Sequence, residues 1–322
     1  MSSGPRIALL GVLAALVVVM WGLAFISKRF EHVASGVAAL SPRTFETLSL
    51  ITVGTGGTFE NPWRLGPALA VGHGSEIALV DAGRGVCEAL RAAEIPTDQP
   101  RWVFLTSLLP ENTVGLDDLW LTGWLGPREG PLRVYGPPGT RALVEALAQA
   151  HGRARAITAG LWSLPESGGV LEVRELDDGA EVAIGKLSVT ATALQDGPFD
   201  ALAYRFATDS RSLVIATEGF DPERILEASR DADTLVVSVI FGASLEAAAE
   251  AGVDRIDVLE REAERHLRVE SVAELATRAG VRQLVLTRLR PPPVFDFQFR
   301  RLVQAGFRGS VVIASDGDLI RP

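Results

Sequence analysis

The hydrophobic pattern of the chain divides it into two parts of different character. Ile7 to Ile26 is a run of twenty residues without a charge, about 30 Å long as a helix, which matches the hydrocarbon core of a bilayer. A core helix rarely lacks polar residues on every face, and a cleaved signal peptide usually has a shorter apolar run followed by a small-x-small site. Here the sequence SKRFE follows. The pattern therefore predicts an uncleaved, single-pass membrane anchor over residues 1–27 and a stalk over residues 28–45.

From Thr47 onwards, short apolar runs alternate with segments of helical period. Hairpins are mixed with flanking helices, which favours an α/β layered sandwich over a doubly wound parallel sheet. No linker or change of composition divides residues 46–322, so we expect one domain there. The loop after the run at Trp102 is expected to be irregular until a helix begins at Leu116. Further predicted elements are strands at Val170–Leu176, Leu187–Leu194, Ala201–Ala207 and Ser212–Ala216, and helices at Thr140–His151, Pro222–Arg230, Leu245–Leu275 (mostly helical) and Phe295–Ala305.

Charge and composition exclude one class of partner. The chain has 322 residues, 47% of them hydrophobic, and a formal net charge of −9. An acidic protein repels phosphodiester backbones unless its basic residues are gathered in a patch, and the arginines here occur singly. We therefore expect no nucleic-acid partner. The single cysteine, Cys87, excludes an internal disulfide and gives no information about the redox compartment.

The segment from Leu105 to Asp118, LTSLLPENTVGLDD, has the outline of an active-site loop. It follows a short apolar strand that ends at Thr106 and leads into the helix that begins at Leu116. Its irregular part, Ser107 to Asn112, contains no residue that readily binds a transition metal. The outline of a metal site is present without its ligands.

Seven segments together resemble the metallo-β-lactamase fold superfamily, and within it the ribonuclease Z and arylsulfatase-like branch. The resemblance covers nearly everything after the stalk and implies a four-layer αββα sandwich. Between Arg153 and Gly185 the chain is too short and too acidic for the tRNA-clamping arm of ribonuclease Z. The segments are VGTGGTFENP, LVDAGRGV, FLTSLLPENTVGLDDLWLTGW, LRVYGPPGT, DGPFDALAYRF, AGVRQLVLTRLRPP and VVIASDG.

The same resemblance implies a pair of zinc ions, but the ligand positions have changed. In the family these positions carry histidines and aspartates, which hold the metals and activate a bridging water. Leu109 offers no lone pair, and Arg288 brings a fixed positive charge. Zinc is therefore not expected, and no cofactor is predicted. The matching positions in this chain are Ser107, Leu109, Glu111, Asn112, Asp196, Glu218 and Arg288.

The histidine content of the chain also argues against a dizinc centre. There are four histidines, and they are too dispersed to assemble such a centre. His266 matches a histidine at the pocket edge of the family and is the only candidate for acid or base catalysis. A lone histidine among acidic helical residues is more often a surface or capping group, so no catalytic residue is expected.

Three interpretations of the pocket remain open. Arg288 could pair with Glu111, Asp196 and Glu218 and fill the space of the metals, which we prefer. The carboxylates and Asn112 could instead hold Ca²⁺ or Mg²⁺, or the arginine could bind an anion.

For function, the sequence favours a membrane-anchored pseudoenzyme with a binding or scaffolding role for a small ligand or protein partner. The alternative is a hydrolase of the superfamily that acts on an ester or phosphodiester through a remodelled site. The identity of the ligand, the oligomeric state and the side of the membrane are left open.

Overall fold

The computed structural model describes residues 4–37, 39–58, 61, 63–196, 199–219, 221–241, 250, 257, 261, 266–290 and 296–322. It divides the chain into two compact units, Met1–Ser41 and Pro42–Pro322.

The first unit contains one long helix, α1, over Gly4–Val37. Its stretch Val12–Phe30 is long and apolar enough to cross a membrane, and none of that stretch is buried against protein. The helix continues to Val37 and so includes part of the segment that the sequence assigned to the stalk.

Two sheets form the body of the second unit. The first has the order β15-β1-β2-β3-β4-β5-β6, and the second has the order β14-β13-β11-β10-β9-β8-β7 with β12 paired to β11. The strands of the first sheet are β1 (Phe45–Gly54), β2 (Ala68–Gly74), β3 (Glu76–Val80), β4 (Trp102–Phe104), β5 (Leu132–Gly136), β6 (Leu171–Glu175) and β15 (Leu319–Ile320). Those of the second are β7 (Glu181–Ile184), β8 (Leu187–Asp196), β9 (Phe199–Ala207), β10 (Ser212–Ala216), β11 (Thr234–Ile240), β12 (Leu267–Arg268), β13 (Gln283–Arg290) and β14 (Ser310–Ile313).

Helices cover the outer faces of both sheets. One buried cluster lies between the two sheets, and a further cluster lies between each sheet and its helices. This gives the four αββα layers that the sequence predicted. The helices of the described residues are α2 (Val86–Ala92), α3 (Pro110–Thr113), α4 (Leu116–Leu125), α5 (Thr140–Trp162), α6 (Pro222–Ser229), α7 (Val269–Ala279) and α8 (Asp296–Gln304).

Some predicted elements differ from those observed. The loop expected to be irregular contains the short helix α3, and the helix expected to end at His151 continues to Trp162. Strand β7 was not predicted. Within the segment expected to be mostly helical, Leu245–Leu275, residues 267–268 form strand β12 instead and residues 269–275 belong to α7, while most of the remainder lies outside the described residues.

The two sheets bring several strand ends to one edge. Strands β3, β4 and β5 are parallel neighbours, and so are β10, β11 and β13. Hydrogen bonds join the sheets at this level: the Tyr204 hydroxyl donates to the Leu105 carbonyl at 2.6 Å, and the Leu202 amide donates to the Thr106 carbonyl at 2.8 Å. The carboxyl ends of parallel strands are the common place for a functional site in such folds.

Candidate functional site

Asp81 and Thr106 form the floor of the site at the ends of two neighbouring parallel strands. Asp81 directly follows β3, is fully buried, and adopts a left-handed backbone conformation with φ 65°. Its Oδ1 accepts a hydrogen bond from the Thr106 amide at 2.8 Å, and the Thr106 hydroxyl donates to the carboxylate, lying 2.9 Å from Oδ1 and 2.8 Å from Oδ2. The carboxylate is thereby held rigidly, with its second oxygen directed into the site.

The Arg288 guanidinium lies at the centre of the site. It donates to Asp81 Oδ2 at 2.5 Å, to Glu218 Oε1 at 2.5 Å and to Asn112 Oδ1 at 3.0 Å. Only 1% of the arginine is exposed, and Asp81, Glu218 and Asn112 are buried as well. This is a buried ion network in which one cation is shared by two carboxylates.

The backbone of strand β13 is distorted where it presents this arginine. Thr287 pairs with Ser238 and Arg290 pairs with Ile240, so β13 has one more residue than β11 over this stretch. Arg288 itself has φ 49°, a left-handed conformation that costs a non-glycine residue about 1–2 kcal/mol. Bulges and strained residues of this kind concentrate next to functional sites, where they redirect a side chain.

Asn112 connects the arginine to the loop after β4. Its side-chain amide donates to Ser107 Oγ at 2.8 Å, while its oxygen accepts from Arg288. The same loop is fixed to the first sheet, because the Ala82 amide donates to the Asn112 carbonyl at 2.8 Å. The loop therefore provides uncharged hydrogen-bonding groups, Asn112 and Ser107, on one side of the network.

Burial shifts the proton affinity of both carboxyl groups in the network. Desolvation raises the pKa of Glu218 to about 7, against the opposing attraction of Arg288 and Arg290. Desolvation also raises the pKa of Asp81, although Arg288 and Thr106 act in the other direction. The charge of Glu218 therefore changes near neutral pH.

A second buried arginine lies beside the first cluster. Arg290 donates to Thr58 Oγ1 at 2.8 Å and contacts the imidazole of His266. Thr58 in turn donates to Glu111 Oε1 at 2.9 Å. A side chain at Gly57 would crowd the Arg290 guanidinium, whose Nε lies 3.0 Å from where a Cβ would stand. The glycine-rich turn after β1 therefore closes over this arginine.

The structure gathers some of the predicted site residues and separates others. Arg288, Glu218, Asn112 and Ser107 lie together as expected. The expected pairing of Arg288 with Glu111 is wrong, because the Glu111 carboxylate faces Thr58 and Asp81 takes the place beside the arginine. His266 is buried, which corrects the expectation of a surface or capping residue. Leu109 contributes no polar atom, and the side chain of Asp196 lies outside the described part of the structure.

Sequence reasoning missed Asp81 and Arg290. Asp81 had a visible signal, since a carboxylate that directly follows a buried strand sits at the edge where sites form. Arg290 had no comparable sequence signal. Its partners His266 and Thr58 are 24 and 232 residues away along the chain, and no local pattern indicates such contacts.

The residues of this site do not fit a pair of zinc ions. Zinc binds histidine, thiolate and carboxylate ligands, whereas a guanidinium already binds both carboxylates of this network. Within the described ranges, no group of three or more His, Cys, Asp or Glu residues could hold a metal ion.

Comparison with known proteins finds relatives but no matching family model. The ribonuclease Z of Mycobacterium bovis (strain BCG / Pasteur 1173P2) is 28% identical over 279 residues, covering 84% of this chain and 96% of that protein. The ribonuclease Z of Mycobacterium marinum is 27% identical over 275 residues with the same coverage.

Solved structures resemble the fold over the same part of the chain. The metallo-β-lactamase fold protein YhfI from Bacillus subtilis gives a TM-score of 0.67 at 17% identity and covers 85% of this chain and 99% of its own. The short form of human tRNase Z gives a TM-score of 0.60 at 19% identity, with coverage of 85% and 98%.

Proposed function

The chain has the metallo-β-lactamase fold and is a homologue of ribonuclease Z, and from this premise we propose that it is a membrane-anchored pseudoenzyme. In this proposal the arginine-filled site is a structural core, and the protein binds or scaffolds a partner instead of hydrolysing a substrate. The observation that carries the proposal is the position of the Arg288 guanidinium between Asp81 and Glu218.

The charge of the site supports this proposal. A divalent cation in this network would have to displace a guanidinium that is buried and bonded to three side chains. Breaking a buried ion pair costs about 3–5 kcal/mol, because it leaves uncompensated charge in a medium that solvates it poorly. We therefore propose that neither zinc nor a hard cation such as Ca²⁺ or Mg²⁺ binds tightly here.

Metal analysis of the full chain in detergent tests this part of the proposal. Elemental analysis after purification without chelator should find zinc, calcium and magnesium well below one equivalent. The unfolding midpoint should be unchanged after EDTA treatment, since a domain folded around a metal is unfolded by chelators. Stoichiometric metal, or a large loss of thermal stability in EDTA, would refute the metal-free site.

The membrane part of the proposal rests on helix α1. Its stretch Val12–Phe30 is apolar and unburied, and it precedes a unit whose core is assembled separately. The full chain should remain with the membrane after alkaline carbonate extraction, while a chain that lacks residues 1–38 should be soluble and cooperatively folded. Mass spectrometry that finds the N-terminal segment removed would identify a signal sequence and reject the anchor.

A hydrolase remains the second candidate, and one observation favours it. Glu218 is buried with a pKa raised to about 7, which suits a group that transfers protons near neutral pH. Hydrolysis of bis(p-nitrophenyl) phosphate and p-nitrophenyl acetate by the purified chain tests this candidate. Activity that is abolished by Glu218→Gln and retained by Glu111→Gln would favour the hydrolase over the pseudoenzyme.

Ribonuclease activity on tRNA is not part of either candidate. The net charge of −9 disfavours a polyanionic substrate, and the segment between Arg153 and Gly185 is occupied by the end of α5 and by strands β6 and β7. Binding of a labelled tRNA at physiological salt should therefore be absent.

A further inference from the structure

The C-terminal half of helix α5 has an outer face of unusual composition. Its inner face packs on the first sheet through Leu143, Val144 and Leu147, and its Arg155 guanidinium lies over the Trp120 ring at 4.7 Å. A helix attached in this way normally presents charged residues to water on its opposite side. Here the outer stripe consists of Ala150, Arg153, Ala154, Ile157 and Leu161, which share one face by their spacing, and all of them are exposed.

The end of the helix strengthens this apolar surface. Leu161 is 73% exposed, Trp162 is 61% exposed and Ile157 is 55% exposed, although hydrophobic side chains of this size are usually buried or scattered. Three of them within six residues at the tip of one helix form a patch. We call this surface, Ile157 with Leu161 and Trp162, the α5 tip.

The charged residues around the α5 tip indicate what kind of partner surface it contacts. From Ala146 to Pro165 the chain contains no carboxylate, and Arg153 is exposed on the outer face, whereas Arg155 is turned inward onto Trp120, in a protein whose net charge is −9. An apolar end that carries tryptophan, next to arginine and without acidic residues, has the chemistry of a segment that rests in the interface of an anionic bilayer.

The length of the chain before the folded unit makes this contact possible. Eleven residues, 31–41, lie between Phe30, the end of the apolar stretch, and Pro42, the first residue of the second unit. Fully extended, they span at most about 40 Å. A unit of this length has a radius of gyration of about 19 Å, so an anchored domain cannot move far from the membrane surface.

We propose that the α5 tip inserts into the headgroup region of the membrane that α1 spans, and so fixes the orientation of the domain. This inference rests on the proposed anchor. The lipid surface is a second contact, which is distinct from the anchor and depends on anionic lipid.

A fluorescent reporter on the full chain in anionic vesicles tests this contact. Cys87 is replaced by alanine, and a bimane is attached at Gly160→Cys, where a side chain meets open space next to the α5 tip. A matched reporter at Ser210→Cys, in the exposed turn between β9 and β10, serves as the control. Lipids with a nitroxide near the headgroup end of the acyl chain should quench the first reporter and leave the second unchanged.

A double substitution and a change of lipid test the contact further. Leu161→Ser with Trp162→Ser should abolish the quenching, because the substitutions remove the apolar contact from exposed positions without disturbing the core. Quenching should also fall in vesicles of neutral lipid.

If the protein floats with the vesicles but the reporter at 160 is not quenched, the inference is wrong and the anchor stands. If the protein does not float, the anchor itself is wrong. Efficient disulfide crosslinking of unlabelled Gly160→Cys between two molecules would assign the α5 tip to a second copy of the chain and overturn the lipid contact.

Discussion

At the scale of single residues, Arg288 supplies the positive charge that Asp81 and Glu218 share in the buried network. Arg288→Ala should lower the free energy of unfolding by about 3–5 kcal/mol at pH 7.5, because Asp81 and Glu218 then remain buried without a cation. The loss should shrink at pH 5, where the unpaired carboxylates can take up protons. Chemical denaturation at both pH values measures the effect.

Arg278→Ala provides the matched control for this substitution. Arg278 also pairs with a carboxylate, Glu223, but both side chains are largely exposed. Its removal should change stability by less than about 1 kcal/mol. Equal effects of the two substitutions would mean that the Arg288 network contributes no more than a surface pair.

Glu218 should make the stability of the protein depend on pH. Its pKa rises from an ordinary value of 4.5 to about 7 on folding, because burial disfavours the charged form, so the folded state binds this proton more tightly than the unfolded state. The resulting stabilisation is fully present below pH 4.5 and is lost as the pH rises through about 7. Glu218 should therefore lower the unfolding free energy by about 1.4 kcal/mol per pH unit across this window.

Two isosteric variants isolate this contribution. Glu218→Gln should flatten the pH dependence between pH 5 and pH 7. Glu111→Gln, at a partly exposed carboxylate that faces Thr58, should retain it. A slope that persists in Glu218→Gln would assign the proton to another group, with Asp81 the first to examine.

The residues of the site were only partly predictable from the sequence. Arg288, within β13, and Glu218, just after β10, match metal-ligand positions of the family, so their place in the site could be inferred from the resemblance. Glu111 was assigned to the arginine because both were polar residues at former ligand positions. Its actual partner, Thr58, comes from the turn after β1, and no local pattern records which of two nearby polar groups a carboxylate faces.

At the scale of elements, helix α4 depends on a glycine. The Arg128 guanidinium is buried and donates to the Leu119 carbonyl at 2.7 Å and to the Trp120 carbonyl at 3.1 Å, passing directly over Gly123. Gly123→Ala should destabilise the protein by about 1–3 kcal/mol, because the new methyl group overlaps the guanidinium. Thermal unfolding of the purified variant measures the loss.

Gly152→Ala is the control for this change. Gly152 lies within helix α5, where an added methyl group meets nothing within 4 Å. Alanine there should be neutral or should stabilise the helix by up to about 1 kcal/mol. If Gly123→Ala behaved in the same way, the guanidinium would have room to move aside.

Helix α5 also illustrates a limit of prediction at this scale. Gly152 weakens a helix, and the apolar period fades after His151, so the sequence indicated an end there. The helix continues because Arg155 stacks on Trp120 and Trp124 of helix α4, with its guanidinium 4.7 and 5.6 Å from the two ring centres. Tertiary contacts of this kind override local propensity.

At the scale of the whole molecule, the layered architecture was predictable because it follows from the alternation of apolar runs. Buried strands such as β10 and β11 are almost wholly apolar, and their flanking helices have one apolar face. The contact between the sheets is more specific. Phe104 packs between Tyr135 and Tyr204, with ring centres 4.8 and 5.2 Å away, and the sequence does not indicate this arrangement.

The hydrogen bond from Tyr204 to Leu105 should contribute measurably to the attachment of the two sheets. Tyr204→Phe leaves the ring in place but removes the donor from a buried carbonyl, which costs about 1–3 kcal/mol. Denaturant unfolding should reveal the loss without a change in its cooperativity. A stability equal to that of the wild type would mean that another group satisfies the carbonyl.

The pairing of strand β1 with strand β15 has a consequence for the timing of synthesis. Leu50 and Ile320 are partners in the register, although 270 residues separate them. At about 5–20 residues per second, a ribosome needs on the order of tens of seconds to pass from one to the other. During that interval the outer edge of β1 has no neighbour, and unpaired edges of this kind promote aggregation. The nascent chain is therefore most exposed to misassembly, and has most to gain from a chaperone, just before its last strand emerges.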